Sequence, residues 1–206
     1  MSHDSAGAPQ PHRFRPEKAA MLEDPARLAW LPTADVLALL ELPDGATMLD
    51  FGTGTGFYAR EIAHARPDVT VLAHDEQPEM LALLRAGLEH EPRPNVVPTD
   101  PETVPSFGPL ARVLAINVLH ELGDRALREL AALVAPGGML VVIDWRGDRE
   151  RSIGPPREHV LTPAGALDRL ATAGLVTRET RDFEYHYAIV AVPEIGLVEV
   201  REPLGL

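Results

Sequence analysis

Leu49-Asp50-Phe51-Gly52-Thr53-Gly54-Thr55-Gly56-Phe57 is the stretch from which the fold can be read. A short apolar run, Met48 to Phe51, stops at glycines on alternate positions, and Phe57 to Ala65 follows with the pattern of a helix. A strand that enters a helix through such a turn lets backbone approach a ligand closely, because glycine has no Cβ to hold it away. The turn is also expected to place free amide groups of the helix start beside that ligand. The G-x-G-x-x-G spacing of a dinucleotide site is not met. The third glycine comes one residue early, and Phe57 stands where the fingerprint needs it.

Outward from this turn, two element types alternate. Downstream, Val69–Ala73, Asn95–Val97, Arg112–Asn117 and Met139–Ile143 read as short buried strands. Pro78–Leu88 reads as a helix with Met80, Leu81, Leu84 and Leu88 on one face. Asp124 is expected to cap a helix whose apolar set is Leu127, Leu130, Ala131 and Val134, with Gly137-Gly138 ending the turn after it. Thr162-Pro163 opens a last helix, closed by Gly174. Val176–Phe183 and Tyr185–Val192, joined tightly, read as an antiparallel hairpin. The prediction is an α/β fold: a Rossmann-like, doubly wound, mostly parallel seven-stranded sheet with a C-terminal antiparallel hairpin. Upstream, Pro16 and Pro25 suit first helical positions, Asp24 is a candidate cap, and Thr33–Glu41 is a further short helix. The expected organisation is a disordered tail over 1–12, a helical cap over 13–42, the α/β domain over 43–192, and a tail or extra strand over 193–206.

Composition narrows the function classes. The chain has 206 residues, 45% hydrophobic and 24% charged, as a folded domain requires. Nineteen Lys and Arg against 31 Asp and Glu give a net charge of −12, which disfavours a nucleic-acid partner. The Arg-bearing stretches 146–151 and 178–181 are interleaved with acids and form no basic patch. No run of about 18 apolar residues is present, so no membrane partner is expected. The polar N-terminus lacks a signal-peptide core, which makes a cytoplasmic address the expectation. Cysteine is absent, removing disulfides and thiolate chemistry, and the eight histidines show no ligand spacing that predicts a metal site.

The run Leu49 to Gly56 resembles the first motif of the class I S-adenosylmethionine-dependent methyltransferases, an acid followed by G-x-G-x-G. Further segments resemble that family in the same order. Asp75, in Val71-Leu72-Ala73-His74-Asp75-Glu76-Gln77-Pro78, resembles the acid that holds the ribose hydroxyls. Asp100, in Pro98-Thr99-Asp100-Pro101-Glu102, resembles the acid that receives the adenine amine. Asn117-Val118-Leu119-His120-Glu121 matches the end of the fourth strand, and Ala135-Pro136-Gly137-Gly138 matches the entry to the fifth. The likeness covers about residues 13–192 and is nearest to the ubiquinone-biosynthesis-like and type-11 groups. It implies S-adenosylmethionine as cofactor, held by Asp50, Gly52, Thr53, Gly54, Gly56, Asp75, Glu76, Asp100, Pro101 and Asn117. Asp50 would meet the cofactor ammonium directly or through a water, and backbone amides near Gly52 and Gly54 would meet the rest. The arsenite-methylating branch shares the His-Glu and Asp-Trp segments but depends on cysteines, so that activity is excluded.

The activity implied is methyl transfer to a small-molecule acceptor by a monomer or homodimer. A non-catalytic binder of S-adenosylmethionine or S-adenosylhomocysteine, or a nucleotide-cofactor enzyme on the same fold, is the alternative. His120 and Glu121, just past the fourth strand, are the catalytic candidates for removing a proton from the accepting atom. His120-Glu121-Leu122-Gly123-Asp124 is not H-E-x-x-H, so no zinc-protease site is expected. Trp30 and Trp145 are candidate acceptor walls. Of Tyr185, His186 and Tyr187, strand alternation lets only part of the set face one site. Gly147–Val160 is a candidate lid.

Overall fold

The structure is a computed structural model that describes residues 16–194. The expected tail over 1–12 lies outside the described residues; of the expected tail or extra strand over 193–206, Pro193 belongs to the last strand and residues 195–206 lie outside the described residues. A 3₁₀ turn, Pro16–Glu23, leads into α1 (Arg27–Trp30) and α2 (Thr33–Leu40). There follow β1 (Thr47–Phe51), α3 (Phe57–Ala65), β2 (Thr70–His74), α4 (Pro78–His90), β3 (Val96–Thr99) and β4 (Leu110–Ile116). The chain continues through α5 (Asp124–Ala132), β5 (Val134–Trp145), α6 (Pro163–Thr172), β6 (Leu175–Asp182) and β7 (His186–Pro193). No helix among the described residues is long and apolar enough to cross a membrane.

The strands form one seven-stranded sheet in the order β3-β2-β1-β4-β5-β7-β6. β1 through β5 run parallel, and β7 enters antiparallel between β5 and β6. The predicted α/β doubly wound sheet with its closing hairpin is therefore the fold observed. Burial on both faces explains why the central strands read as continuous apolar runs rather than as alternating ones. Leu114, Val141 and Ile143 pack under α2 and α3, while Val113, Leu140 and Val142 pack on the opposite face with Leu127, Leu130 and Leu170. The order reverses between β1 and β4, and such a switch point opens a crevice at the carboxyl ends of the strands.

Several local expectations need correction. The fifth strand starts at Val134, not Met139, so Val134 belongs to the sheet and not to the preceding helix. Leu110 pairs with Val134 and Arg112 with Met139, which makes Ala135-Pro136-Gly137-Gly138 a bulge inside β5 rather than a turn before it. Gly138 is required there: a Cβ would lie 3.0 Å from the Leu110 and Ala111 carbonyl oxygens. Asp124 does not cap α5; Gly123 holds the cap position, and the Asp124 carboxylate sits 3.3 Å from the Arg169 guanidinium. The third strand runs to Thr99, one step past Asn95 at its start. The Asn95 amide instead donates to the carbonyls of Ala63, Arg66 and Val69, tying the end of α3 to the sheet.

Candidate active site

The carboxyl ends of the strands open into a cleft of about 1670 Å³. A single small ligand usually fills roughly 300–1,000 Å³, so this cleft has room for two side by side. One half is walled by Gly52, Gly54, His74, Asp75, Glu76 and Pro101. The other is walled by Asn117, Val118, His120, Glu121, Trp145 and His186, with Ile153, Pro155 and Pro156 from the loop after β5. Leu22, Arg27 and Trp30 from the N-terminal segment line it as well. Six of the sequence-predicted cofactor residues (Gly52, Gly54, Asp75, Glu76, Pro101 and Asn117) and both catalytic candidates are thus brought to one space.

In the first half the glycine turn is folded against the end of β2. The amides of Gly52 and Thr53 both donate to the His74 carbonyl at 2.8 Å, and Gly56 donates to Thr53 at 3.0 Å. The Gly54 amide donates to Asp75 at 2.9 Å. The expectation that amides around Gly52 and Gly54 are free for a ligand is therefore corrected: they are committed within the protein. Four of the turn's amides, those of Gly52, Thr53, Gly54 and Gly56, are thus spent within the protein, while the turn still brings the backbone close to the cleft. Asp75 accepts from the Gly54 and Gln77 amides, and burial pushes its carboxyl up against those two bonds. A carboxylate has about four acceptor positions, so two amides leave capacity for ligand hydroxyls.

Asp50, Thr53, Gly56 and Asp100 do not line the cleft. Asp50 is 3% exposed, and its carboxylate accepts from the Thr53 hydroxyl at 2.6 Å. Burial raises its carboxyl to about 6, opposed by that hydrogen bond. Gly56 caps α3 at φ 82, packed on Leu84. The Asp100 carboxylate is gripped through both oxygens by the Arg85 guanidinium at 2.9 Å, leaving its neighbour Pro101 on the wall.

The second half is organised around a residue the sequence reading passed over. Asp144, at the end of β5, is fully buried and accepts from the His120 and Trp145 amides at 2.9 and 2.7 Å. Its oxygens also lie 2.8 and 3.0 Å from His120 Nδ1. A carboxylate can only accept, so Nδ1 carries the ring proton and Nε2 of the neutral ring is an acceptor. Burial alone would lower the His120 pKa, but the Asp144 charge and hydrogen bond, with the Glu121 charge, outweigh it and hold the ring above its ordinary value. Glu121 Oε1 lies 3.7 Å from Nε2. Asn117, at φ 59, ends β4 with its buried Oδ1 unpartnered, an acceptor aimed at no protein group. The signal for Asp144 was present in Val141-Val142-Ile143-Asp144: a carboxylate closing a buried apolar strand must have partners.

Strand alternation divides the closing aromatic cluster as expected. His186 pairs in register with Trp145 and stacks on it at 4.1 Å, whereas Tyr187 faces the α6 side. Tyr185 meets Trp30 edge-on at 5.8 Å. Arg27, also passed over, lies 4.9 and 4.8 Å above the Phe57 and Tyr58 rings, and burial lowers its pKa. Its guanidinium donates to the Leu22 carbonyl and has no carboxylate partner among the described residues, yet it stands on the cleft wall.

Comparison with known proteins bears on this geometry. A family described as a methyltransferase domain matches residues 48–138. A trans-aconitate 2-methyltransferase of Azoarcus sp. is 32% identical over 141 residues, 68% of this chain and 53% of that protein. Methyltransferase str2 of Strobilurus tenacellus is 29% identical over 174 residues, 81% of this chain and 59% of that protein. The chain therefore spans little more than half the length of these curated relatives. A SAM-dependent methyltransferase from Aquifex aeolicus superposes with a TM-score of 0.79 at 29% identity, covering 87% of this chain and 98% of that one.

Proposed function

We propose that the chain acts as a class I S-adenosylmethionine-dependent methyltransferase and that it methylates a proton-bearing oxygen or nitrogen of a small organic acceptor. The observation that supports this reading is the buried Asp144 holding His120 with its Nε2 available on the cleft wall. The relative named for trans-aconitate acts on a small molecule by its name, which supports the small acceptor and not the accepting atom.

The residues present fit the cofactor. Asp75 would take the ribose hydroxyls, with Glu76 beside it, and Pro101 would lie along the adenine. A Cβ at Gly52 would come 2.5 Å from Val118 and one at Gly54 3.0 Å from Leu22, so the turn can hold its place at the cleft wall only with glycine there. Arg27 offers a cation to the carboxylate of the amino-acid end. Asn117 Oδ1, unpartnered and buried, can accept from its ammonium. Asp50, behind the wall and bonded to Thr53, would act through its field rather than by contact. Asp100 would help by holding Arg85 and thereby the turn that carries Pro101.

When bound, S-adenosylmethionine supplies a methyl group on a sulfonium that departs as a neutral thioether. The protein's part is to position the acceptor, exclude water and accept a proton. His120 takes the acceptor proton at Nε2 and holds it as an imidazolium that Asp144 stabilises. Trp30, Trp145 and Ile153 wall off solvent. The test is a methyl-transfer screen of small acceptors with labelled donor, run beside calorimetric titration of the cofactor. Cofactor binding with product formation that falls by about 10²–10⁴-fold in His120→Ala is the expected result. Full activity in that variant would remove the base.

A further inference from the structure

His186 is 3% exposed and lines the cleft, yet neither ring nitrogen has a hydrogen-bond partner. A buried polar side chain left without partners costs free energy, and a phenylalanine or leucine would pack against Trp145 without that cost. Its place in the sheet separates it from the cofactor half. β7 lies three positions from β1 in the strand order, about 14 Å at roughly 4.8 Å per strand. It is close to the base instead: His186 pairs with Trp145, whose neighbour Asp144 holds His120. His186 and the base line the same half of the cleft, and the charge of Asp144, which holds the base, reaches His186 as well.

The surrounding wall is flat and apolar. Trp145 stacks on the imidazole at 4.1 Å, and Trp30, Ile153 and Pro155 line the same region. Burial pushes the His186 pKa down to about 4, so the ring is neutral at physiological pH. The charge of Asp144 acts against an anion beside it, while Arg27 and Arg151 act the other way. A neutral imidazole donates at one nitrogen and accepts at the other, which matches a hydroxyl or carbonyl oxygen and gives a carboxylate no ion pair.

We propose that His186 is the acceptor-recognition residue of the cleft, and that its ligand is a planar, uncharged ring. That ring carries a second hydroxyl or carbonyl oxygen besides the group presented to His120. The inference rests on the methyl-transfer reading for the identity of the second ligand.

The experiment measures affinities of phenol, catechol and meta-hydroxybenzoate for the full chain saturated with S-adenosylhomocysteine, by ligand-observed NMR. Catechol should bind about five- to tenfold more tightly than phenol, the scale of one hydrogen bond. The preference should vanish in His186→Phe and His186→Leu while affinity for S-adenosylhomocysteine is retained. The ¹⁵N resonances of the His186 ring, which need no variant, should shift with catechol and not with phenol. Three results would overturn the proposal: a preference that survives both substitutions, no binding of either phenol or catechol, or tighter binding of meta-hydroxybenzoate than of catechol. Methyl transfer to the probes is read separately. Binding through His186 with no methylation counts against the methyl-transfer reading and leaves this inference standing; methylation with no His186-dependent preference does the reverse.

Discussion

The half of the cleft over β1 and β2 is shaped by backbone, whereas the half over β4, β5 and β7 is shaped by side chains. In the first, positive φ at Gly52, Gly54 and Gly56 brings the chain close to the space above, and the turn's amides are spent on His74, Thr53 and Asp75. In the second, a fully buried carboxylate orients one imidazole and a second imidazole is left without partners. A wall of backbone suits a ligand that never changes. A wall of side chains can be re-specified one residue at a time, which is how one fold serves many acceptors. The comparison teaches where to look for each property: cofactor affinity in the turn, chemistry and acceptor choice in the side chains.

The largest effect that would break this division is on turnover. His120→Ala should lower kcat by about 10²–10⁴-fold with cofactor affinity nearly unchanged, checked by steady-state kinetics and calorimetry. A parallel loss of cofactor affinity would show that the two halves are not separable. Gly56→Ala should destabilise the fold by about 2–4 kcal/mol, read from denaturant unfolding. A Cβ there would lie 2.3 Å from Leu84 Cδ1 at φ 82, adding overpacking to a left-handed backbone that alanine disfavours. Asp75→Ala should weaken cofactor binding by about 1.5–3 kcal/mol, the scale of hydrogen bonds to a charged group, with the fold retained.

The smallest expected effect sharpens the second half alone. The base acts when neutral, and Asp144 holds its pKa above the ordinary histidine value of 6.5. Turnover should therefore rise with pH through a midpoint above that value. In Asp144→Asn the charge is gone while burial, which lowers the pKa, remains, so the midpoint should move down. A pH–rate profile identical in the two proteins would show that Asp144 does not tune the base.

How much could be read beforehand differs between the halves for the same physical reason. Gly52, Gly54 and Asp75 announce themselves because a turn between a strand and a helix is local. Its glycines and the acid after the next strand follow from short-range geometry and an apolar period. Asp100 shows the limit of that kind of reading. Its position after β3 matched the pattern, but the contact of Arg85 Nη2 with both its oxygens, from 15 residues away on α4, is a matter of how two elements pack. Asp144 and Arg27 were passed over because nothing near them in the chain says what they face.

The sequence by itself determined the order of strands and helices, the closing hairpin and the turn that opens the cleft, since periodicity and glycine spacing are properties of neighbouring residues. Tertiary structure alone decided that His120 meets Asp144, 24 residues onward, that His186 stacks on Trp145, and that the amides of Gly52, Thr53 and Gly54 are already taken. Those outcomes depend on strand register across β4, β5 and β7. Register is set by the packing of the whole sheet, which no local stretch contains.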